Sequence, residues 1–381
     1  MTTESDFEIF LVTAPGLESV LCAEAKVRGF RAATAVNGGV TVTGGWPEVW
    51  RANLELRGAA RVLARIAEFR ALHLAQLDKR ARKVAWGAVL RADVPFRVEA
   101  TCRKSRVYHD RAAAQRIRNA IRDATGAQVA ADDSRDESET VVVKARIEDD
   151  LCTISIDTSG APLHQRGHKA EVAKAPMREN LAALFLRQCG YDGGEPVVDP
   201  MCGSGTFVIE AAEIAAGLKP GRSRRFAFER LASFDAAAWR ALRGKSGGAV
   251  DGKPIAIRFH GSDRDAGAIR MSEANAARAG VDALTLFKQH AISDLVAPEG
   301  PPGLVIINPP YGARIGDARQ LSALYRALGE TLRTRFKGWR VGLVTNDATL
   351  AAATGLPFAP PFGPVSHGGI RVMLFQAKRL D

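Results

Sequence analysis

Five short apolar segments recur through the second half of this 381-residue chain, at 195–199, 255–261, 283–287, 303–307 and 340–345. Helical stretches separate them, among them 207–218, 266–279 and 321–336. Strands that are apolar along nearly their whole length are buried on both faces, and strand–helix alternation joins them in parallel through right-handed crossovers. The pattern predicts an α/β fold with a parallel, doubly wound sheet. A last apolar run at 370–376, after Gly368-Gly369, is expected to close that sheet as an antiparallel strand.

The first half reads differently. Strands are expected at 7–13, 38–44, 61–69 and 95–101, helices at 17–29, 46–53, 74–86 and 109–125, and an acidic loop at 131–140. Segments 141–146 and 152–157 pair as a hairpin through Glu148-Asp149-Asp150. Helices set between non-adjacent strands make this an α+β arrangement. The length exceeds the ~250–300 residues at which single cores stop growing. Two domains are therefore expected, 1–160 and 161–381, dividing near Ser159-Gly160.

Charge narrows the partner. Lys and Arg number 53 against 42 Asp and Glu, a net +11, and eight basic residues crowd between positions 97 and 122 against Glu99 and Asp110. Such clustering is the footprint of a polyanion partner, with a solvated helix face as the alternative. Arg111, Arg118 and Arg122 are the candidate contacts there. Lys219, Arg222, Arg224 and Arg225, in a Gly/Ser-containing insertion, are further candidates for phosphate. No apolar run approaches the ~18 residues that span a bilayer, and the first ten residues lack the regions of a signal peptide. No membrane partner is expected. Five scattered cysteines without a CxxC exclude a disulfide framework or a Cys-based zinc site and fit a reducing cytoplasm. No metal is expected.

Three strand ends carry chemistry. Asp199-Pro-Met-Cys-Gly-Ser-Gly-Thr206 follows a strand and opens a helix. Gly203 and Gly205 let the backbone approach a ligand at the carboxyl edge of the sheet, where open α/β folds bind ligands. Val208 stands where a dinucleotide fingerprint has its third glycine, and no Gly-Lys-Ser/Thr follows, so neither pyrophosphate motif is present. A glycine turn begun by Asp199, with Met201 and Thr206 in it, suits a cationic, phosphate-free nucleoside such as S-adenosylmethionine. The next strand ends in Gly261-Ser-Asp-Arg-Asp265, whose Asp263 is placed to accept ribose hydroxyls. Asp265 is the alternative, with a helix N-cap as its competing role. Asn308-Pro-Pro-Tyr311 follows a fourth strand. Two prolines remove two N–H donors, leaving an extended loop that presents acceptors. The Asn308 side-chain oxygen and the Pro309 carbonyl can both accept from one exocyclic amine, with Pro310 keeping the loop extended. Tyr311 offers a face for stacking a base, a contact worth ~1–3 kcal/mol. Cys202 reads as a small packing residue.

Together, residues 199–206, Asp263 and 308–311 resemble the class I S-adenosylmethionine-dependent methyltransferases that modify exocyclic amines of nucleobases. Leu163-His-Gln-Arg-Gly-His168 and Ala175-Pro-Met-Arg-Glu-Asn-Leu-Ala182 resemble the approach to the cofactor motif in THUMP-domain RNA methyltransferases, and the first half resembles their ferredoxin-like and THUMP module. The resemblance implies a Rossmann-like methyltransferase domain behind an RNA-binding module. It implies S-adenosylmethionine as cofactor and N2 of guanine in 23S ribosomal RNA as target, with tRNA or adenine N6 as alternatives. A DNA or protein substrate, or an RNA-binding assembly factor with a degenerate methyltransferase half, are the rival readings. One departure stands out. The family carries an acidic residue after the third strand, against the cofactor adenine. Here His290 occupies that place and Asp294 follows four residues later, so either His290 accepts as a neutral imidazole or Asp294 does so.

Overall fold

The computed structural model describes residues 6–130, 139–168, 177–244, 258–311 and 318–381. The chain forms two compact units. One gathers Met1–Thr13, Cys22–Leu163 and Arg224–Lys245, and the other Ala14–Leu21, His164–Ser223 and Ser246–Asp381.

In chain order the first elements are β1 (Phe7–Val12), α1 (Glu18–Val27), β2 (Arg31–Val36), β3 (Gly39–Gly44), α2 (Trp46–Glu55) and β4 (Arg61–Arg70). They continue with α3 (Leu74–Ala81), β5 (Phe96–Arg103), α4 (Asp110–Thr125), β6 (Val141–Glu148) and β7 (Leu151–Asp157). The seven strands form one sheet ordered β2-β3-β1-β4-β7-β6-β5. Only β5 and β6 pair in parallel. β6 and β7 are the expected hairpin, turned by Asp149 and Asp150 at φ 50° and 64°, the twist a two-residue hairpin turn requires. Ile117 and Ile121 of α4 are fully buried, as the apolar stripe of a helix lying on a sheet should be. The helix expected at 74–86 is shorter. It stops at Ala81, whose carbonyl accepts the Trp86 indole N–H at 2.8 Å, so Trp86 joins the core from a following turn.

The second set is α5 (Glu179–Gln188), β8 (Val197–Asp199), α6 (Thr206–Ala215), α7 (Ala236–Gly244), β9 (Phe259–Asp263), α8 (Ala266–Ala279) and β10 (Thr285–Gln289). It ends with β11 (Leu304–Ile307), α9 (Ala318–Arg335), β12 (Arg340–Thr345), α10 (Ala348–Ala353), β13 (Phe362–His367) and β14 (Ile370–Ala377). The sheet order is β10-β9-β8-β11-β12-β14-β13. Its first five strands are parallel and β14 runs antiparallel to β12, as expected. All four residues of β11 are buried. Tyr325, Leu328, Leu332 and Phe336 of the α9 region pack with Val305, Ile307 and Leu343. The start of the strand expected at 255–261, the loop expected at 131–140 save its last two residues, and Ala175-Pro176 of the quoted motif lie outside the described residues. Residues 224–244, expected with the second domain, pack in the first unit. Phe226, Phe228, Phe234 and Trp239 form an aromatic cluster with Trp50. No helix among the described residues is long and apolar enough to cross a membrane.

Candidate active site

Register fixes the site at the carboxyl edge of the second sheet. Asp199 is level with Gly261 on β9, and Val198 with Val305 on β11, so Asp263 and Asn308 stand two residues past Asp199 on either side. Between them runs the turn after β8, with Gly203 and Gly205 at φ 56° and 82°, left-handed positions where a side chain would be strained. The turn is held from several directions. The Cys202 N–H donates to the Ser262 carbonyl at 2.9 Å and the Gly203 N–H to the Asp263 carboxylate at 3.1 Å. From α8, the Ser272 hydroxyl donates to the Gly203 carbonyl at 3.0 Å and the Asn275 amide to the Ser204 carbonyl at 3.1 Å. Sequence reading missed Ser272 and Asn275. Their signal was polar residues at i and i+3 on the inward face of a helix. The Thr206 hydroxyl donates to the Met177 carbonyl at 3.4 Å, and the Met201 N–H to Asp199 Oδ1 at 3.1 Å.

The two carboxylates differ. Asp199 is buried, and desolvation pushes its carboxyl up to about 8, with the Asp263 charge adding to the rise. Asp263 is half-buried. One oxygen accepts from Gly203 and the other from the Asp265 N–H at 3.0 Å, which fixes the carboxylate and leaves its outer lone pairs available. Asp265 is exposed and caps α8, accepting from the Gly267 N–H at 2.8 Å, the competing role foreseen for it. Burial, then Asp199, pushes the Cys202 thiol well up, consistent with a packing role.

Beside β9 a cavity of about 820 Å³ is lined by Gly261, Ser262, His290 and Asp294 among others. The His290 N–H donates to the Asp263 carbonyl at 3.1 Å, and its Nδ1 lies 3.2 Å from the Ala291 carbonyl. With the proton on Nδ1, Nε2 is the acceptor. Asp294 sits in the Ile292–Asp294 turn and accepts from the Ser293 hydroxyl at 3.2 Å. Both residues thus line this cavity, whose lining does not include Asp263, Asn308 or the Asp199–Thr206 turn. On the other side of the turn, Asn308 Oδ1 is buried with no partner among the described residues. Pro309 is buried, and Tyr311 is half-buried against the α9 core, its phenol raised by burial. The Tyr325 hydroxyl donates to the Pro310 carbonyl and meets the Thr345 hydroxyl, each at 3.3 Å, which fastens the loop to β12.

Behind the turn lies a buried ion network. Arg166 and Glu210 pair at 3.1 Å with side chains 2% and 1% exposed. Glu213 pairs with Arg222 at 2.6 Å, and His168 Nδ1 lies 3.9 Å from it. Burial lowers the His168 pKa, keeping the ring neutral. Two of the candidate phosphate contacts are engaged inside the protein. Arg222 donates to Glu213 and to the Ala279 carbonyl at 2.6 Å, and Arg224 to the carbonyls of Ser159, Ala161 and Pro162. Both guanidinium groups are partly buried and satisfy internal acceptors, which leaves fewer of their N–H groups for a phosphate. Arg225 is exposed, as are Arg111 and Arg122 on α4, whereas Arg118 is half-buried.

Residues 166–357 match the RMKL-like methyltransferase domain, 8–63 the RlmL ferredoxin-like domain and 73–157 the THUMP domain. Ribosomal RNA large subunit methyltransferase K/L of Syntrophotalea carbinolica is 37% identical over 361 residues, 91% of this chain and 50% of its own. The chain spans about half the length of the curated relatives it matches. A solved structure named as a predicted N6-adenine-specific DNA methylase from Listeria monocytogenes has TM-score 0.86 at 28% identity, covering 98% of this chain and 96% of that one. SMU.472, a candidate methyltransferase complexed with SAH, has TM-score 0.87 at 26% identity over 100% of both chains. The resemblance read from the strand-end motifs is thus borne out, fold class included. The chain belongs to the RMKL-like methyltransferases and carries the RlmL ferredoxin-like and THUMP domains ahead of the catalytic one.

Proposed function

We propose that this protein transfers a methyl group from S-adenosylmethionine to N2 of a guanine in 23S ribosomal RNA, with the ferredoxin-like and THUMP domains docking the RNA. The observation that carries the reading is the buried Asn308 Oδ1, without a partner among the described residues, at a strand end beside the Asp199–Thr206 turn. A buried acceptor left unpaired is destabilising, so a site that keeps one is built for a donor that arrives with a ligand. The name of the Syntrophotalea carbinolica relative supports a ribosomal substrate. The residues also fit the cofactor. Asp263 keeps outward lone pairs for the ribose hydroxyls, Gly203 and Gly205 bare the backbone, and His290 or Asp294 meets the adenine. S-adenosylmethionine supplies a methyl group on a cationic sulfur that leaves as a neutral thioether. Asn308 and the Pro309 carbonyl hold the amine so that its lone pair turns out of the base plane. Tyr311 stacks the base, which must be unpaired or flipped out to be reached. Rate comes from holding the amine roughly 3–3.5 Å from its target, without a covalent intermediate. Arg111, Arg118, Arg122 and Arg225 are the proposed phosphate contacts.

The product decides the reading. Purified protein, labelled S-adenosylmethionine and 23S rRNA transcripts are expected to yield N2-methylguanosine on nucleoside mass spectrometry. N6-methyladenosine would overturn the base, and label in tRNA alone would overturn the substrate. Asp263→Ala should weaken S-adenosylmethionine binding by ~1.5–3 kcal/mol, the worth of a hydrogen bond to a charged group. Asp263→Asn keeps an acceptor for only one of the Gly203 and Asp265 amides, sets an NH2 against the other and loses the charge, so it should weaken binding as well. Calorimetric titration reads both. Unchanged affinity in Asp263→Ala would end the ribose assignment.

A further inference from the structure

A second buried amide oxygen at the same sheet edge lacks a partner among the described residues. Asn346 follows β12, three residues past Leu343, which pairs with Ile307 at the end of β11. The Tyr325 hydroxyl, which touches both Pro310 and Thr345, ties these two strand ends together. The neighbours of Asn346 have their polar groups engaged. The Thr345 hydroxyl meets Tyr325 and accepts from the Asp347 N–H at 3.2 Å. Asp347 caps α10, accepting from the Thr349 and Leu350 N–H groups at 2.8 and 3.2 Å. Asn346 Oδ1 alone of the three is buried with no donor among the described residues, as Asn308 Oδ1 is after β11. No capping or turn role accounts for it.

We infer that Asn346 reads the base beside the target amine and selects guanine over adenine. The inference rests on the reading of Asn308 and Pro309 as the amine-holding pair. On a guanine held by its N2 amine, the next groups along the edge are the N1–H donor and the O6 acceptor. The Asn346 amide offers the complement, Oδ1 for N1–H and Nδ2 for O6. On an adenine held by its N6 amine, the neighbour is the N1 lone pair, which leaves Oδ1 buried against another acceptor. A site built to hydrogen-bond a substrate group rejects the analogue that lacks it, because its own polar atoms are then stranded.

The test uses full-length protein and a synthetic RNA spanning the nucleotide methylated in the product assay. That nucleotide is supplied either as guanosine or as 2,6-diaminopurine riboside. Both carry the N2 amine, but the second replaces N1–H and O6 by an acceptor and an amine. Wild type should prefer guanosine by roughly tenfold to a hundredfold in kcat/KM, the range set by one stranded buried acceptor. Asn346→Ala should bring the preference to within a few-fold while S-adenosylmethionine affinity stays unchanged. Asn346→Ser, closer in size and polarity, gives the same readout should the alanine protein not fold. An unchanged preference in a folded variant overturns the inference, as does a wild type that methylates both equally or produces N6-methyladenosine. Failure of the underlying reading looks different, since Asn308→Ala then methylates the guanosine RNA with wild-type kcat.

Discussion

Asn308→Ala is expected to lower kcat by ~10²–10³, the loss typical of one preorganised polar contact in a catalytic site, while changing the KM for S-adenosylmethionine little. The reasoning follows from where the side chain stands. Asn308 makes no hydrogen bond to the cofactor turn, which is held by Asp263, Ser262, Ser272 and Asn275. Its Oδ1 is buried and has no partner among the described residues, as the proposed amine-holding role requires. An amine bound by that oxygen and by the Pro309 carbonyl is turned so that its lone pair meets the methyl group. That geometry matters most on the way to the transition state, so its loss falls on kcat rather than on binding. Tyr311→Ala should instead raise the KM for RNA, because the stacking face is used in docking. Steady-state kinetics with both substrates varied separates the two. An Asn308→Ala enzyme with wild-type kcat would mean that the tetrapeptide is only a turn.

The strands of the second sheet were legible because burial on both faces leaves a run of Val, Ile and Leu, as in Leu304–Ile307. Elements with no such contrast were missed. β2 is an edge strand, with all but one of its residues exposed, so no alternation marks it. α5 fails for the opposite reason. Glu179 through Leu186 are all buried, and a helix buried all round has no amphipathic stripe. β13 contains Gly363 and Pro364, which demote a segment to an edge position, where it lies. The candidate site divides in the same way. Asp199, Asp263 and Asn308 were readable because each ends a strand and the fold brings such ends to one edge. Ser272, Asn275 and Asn346 were not, since their roles depend on which turn or loop packs against them. Arg222 and Arg224 show the limit of charge reading, as composition does not distinguish a guanidinium that meets solvent from one that meets Glu213 or a row of carbonyls.

Glu210→Ala is expected to destabilise the protein by ~3–5 kcal/mol, the cost of removing one partner from a buried ion pair. The Arg166 side chain is 2% exposed and its Nε donates to Glu210 Oε1 at 3.1 Å. With the carboxylate gone, the buried guanidinium loses its counter-charge. Water cannot replace the lost partner without opening the packing around α6. Such a loss is a large share of the ~5–15 kcal/mol that ordinarily separates folded from unfolded protein. Glu210→Gln retains the shape and an acceptor, so its loss should be smaller. Replacing both residues, as Arg166→Met with Glu210→Leu, removes both charges and should recover much of the stability lost in Glu210→Ala, since desolvating a pair of ions offsets most of their attraction. Urea unfolding of the single and double variants reads the difference through the shift in midpoint. A double variant no more stable than Glu210→Ala would mean that packing volume, not stranded charge, sets the cost. A single variant within about 1 kcal/mol of wild type would mean that the pair contributes no more than an exposed one.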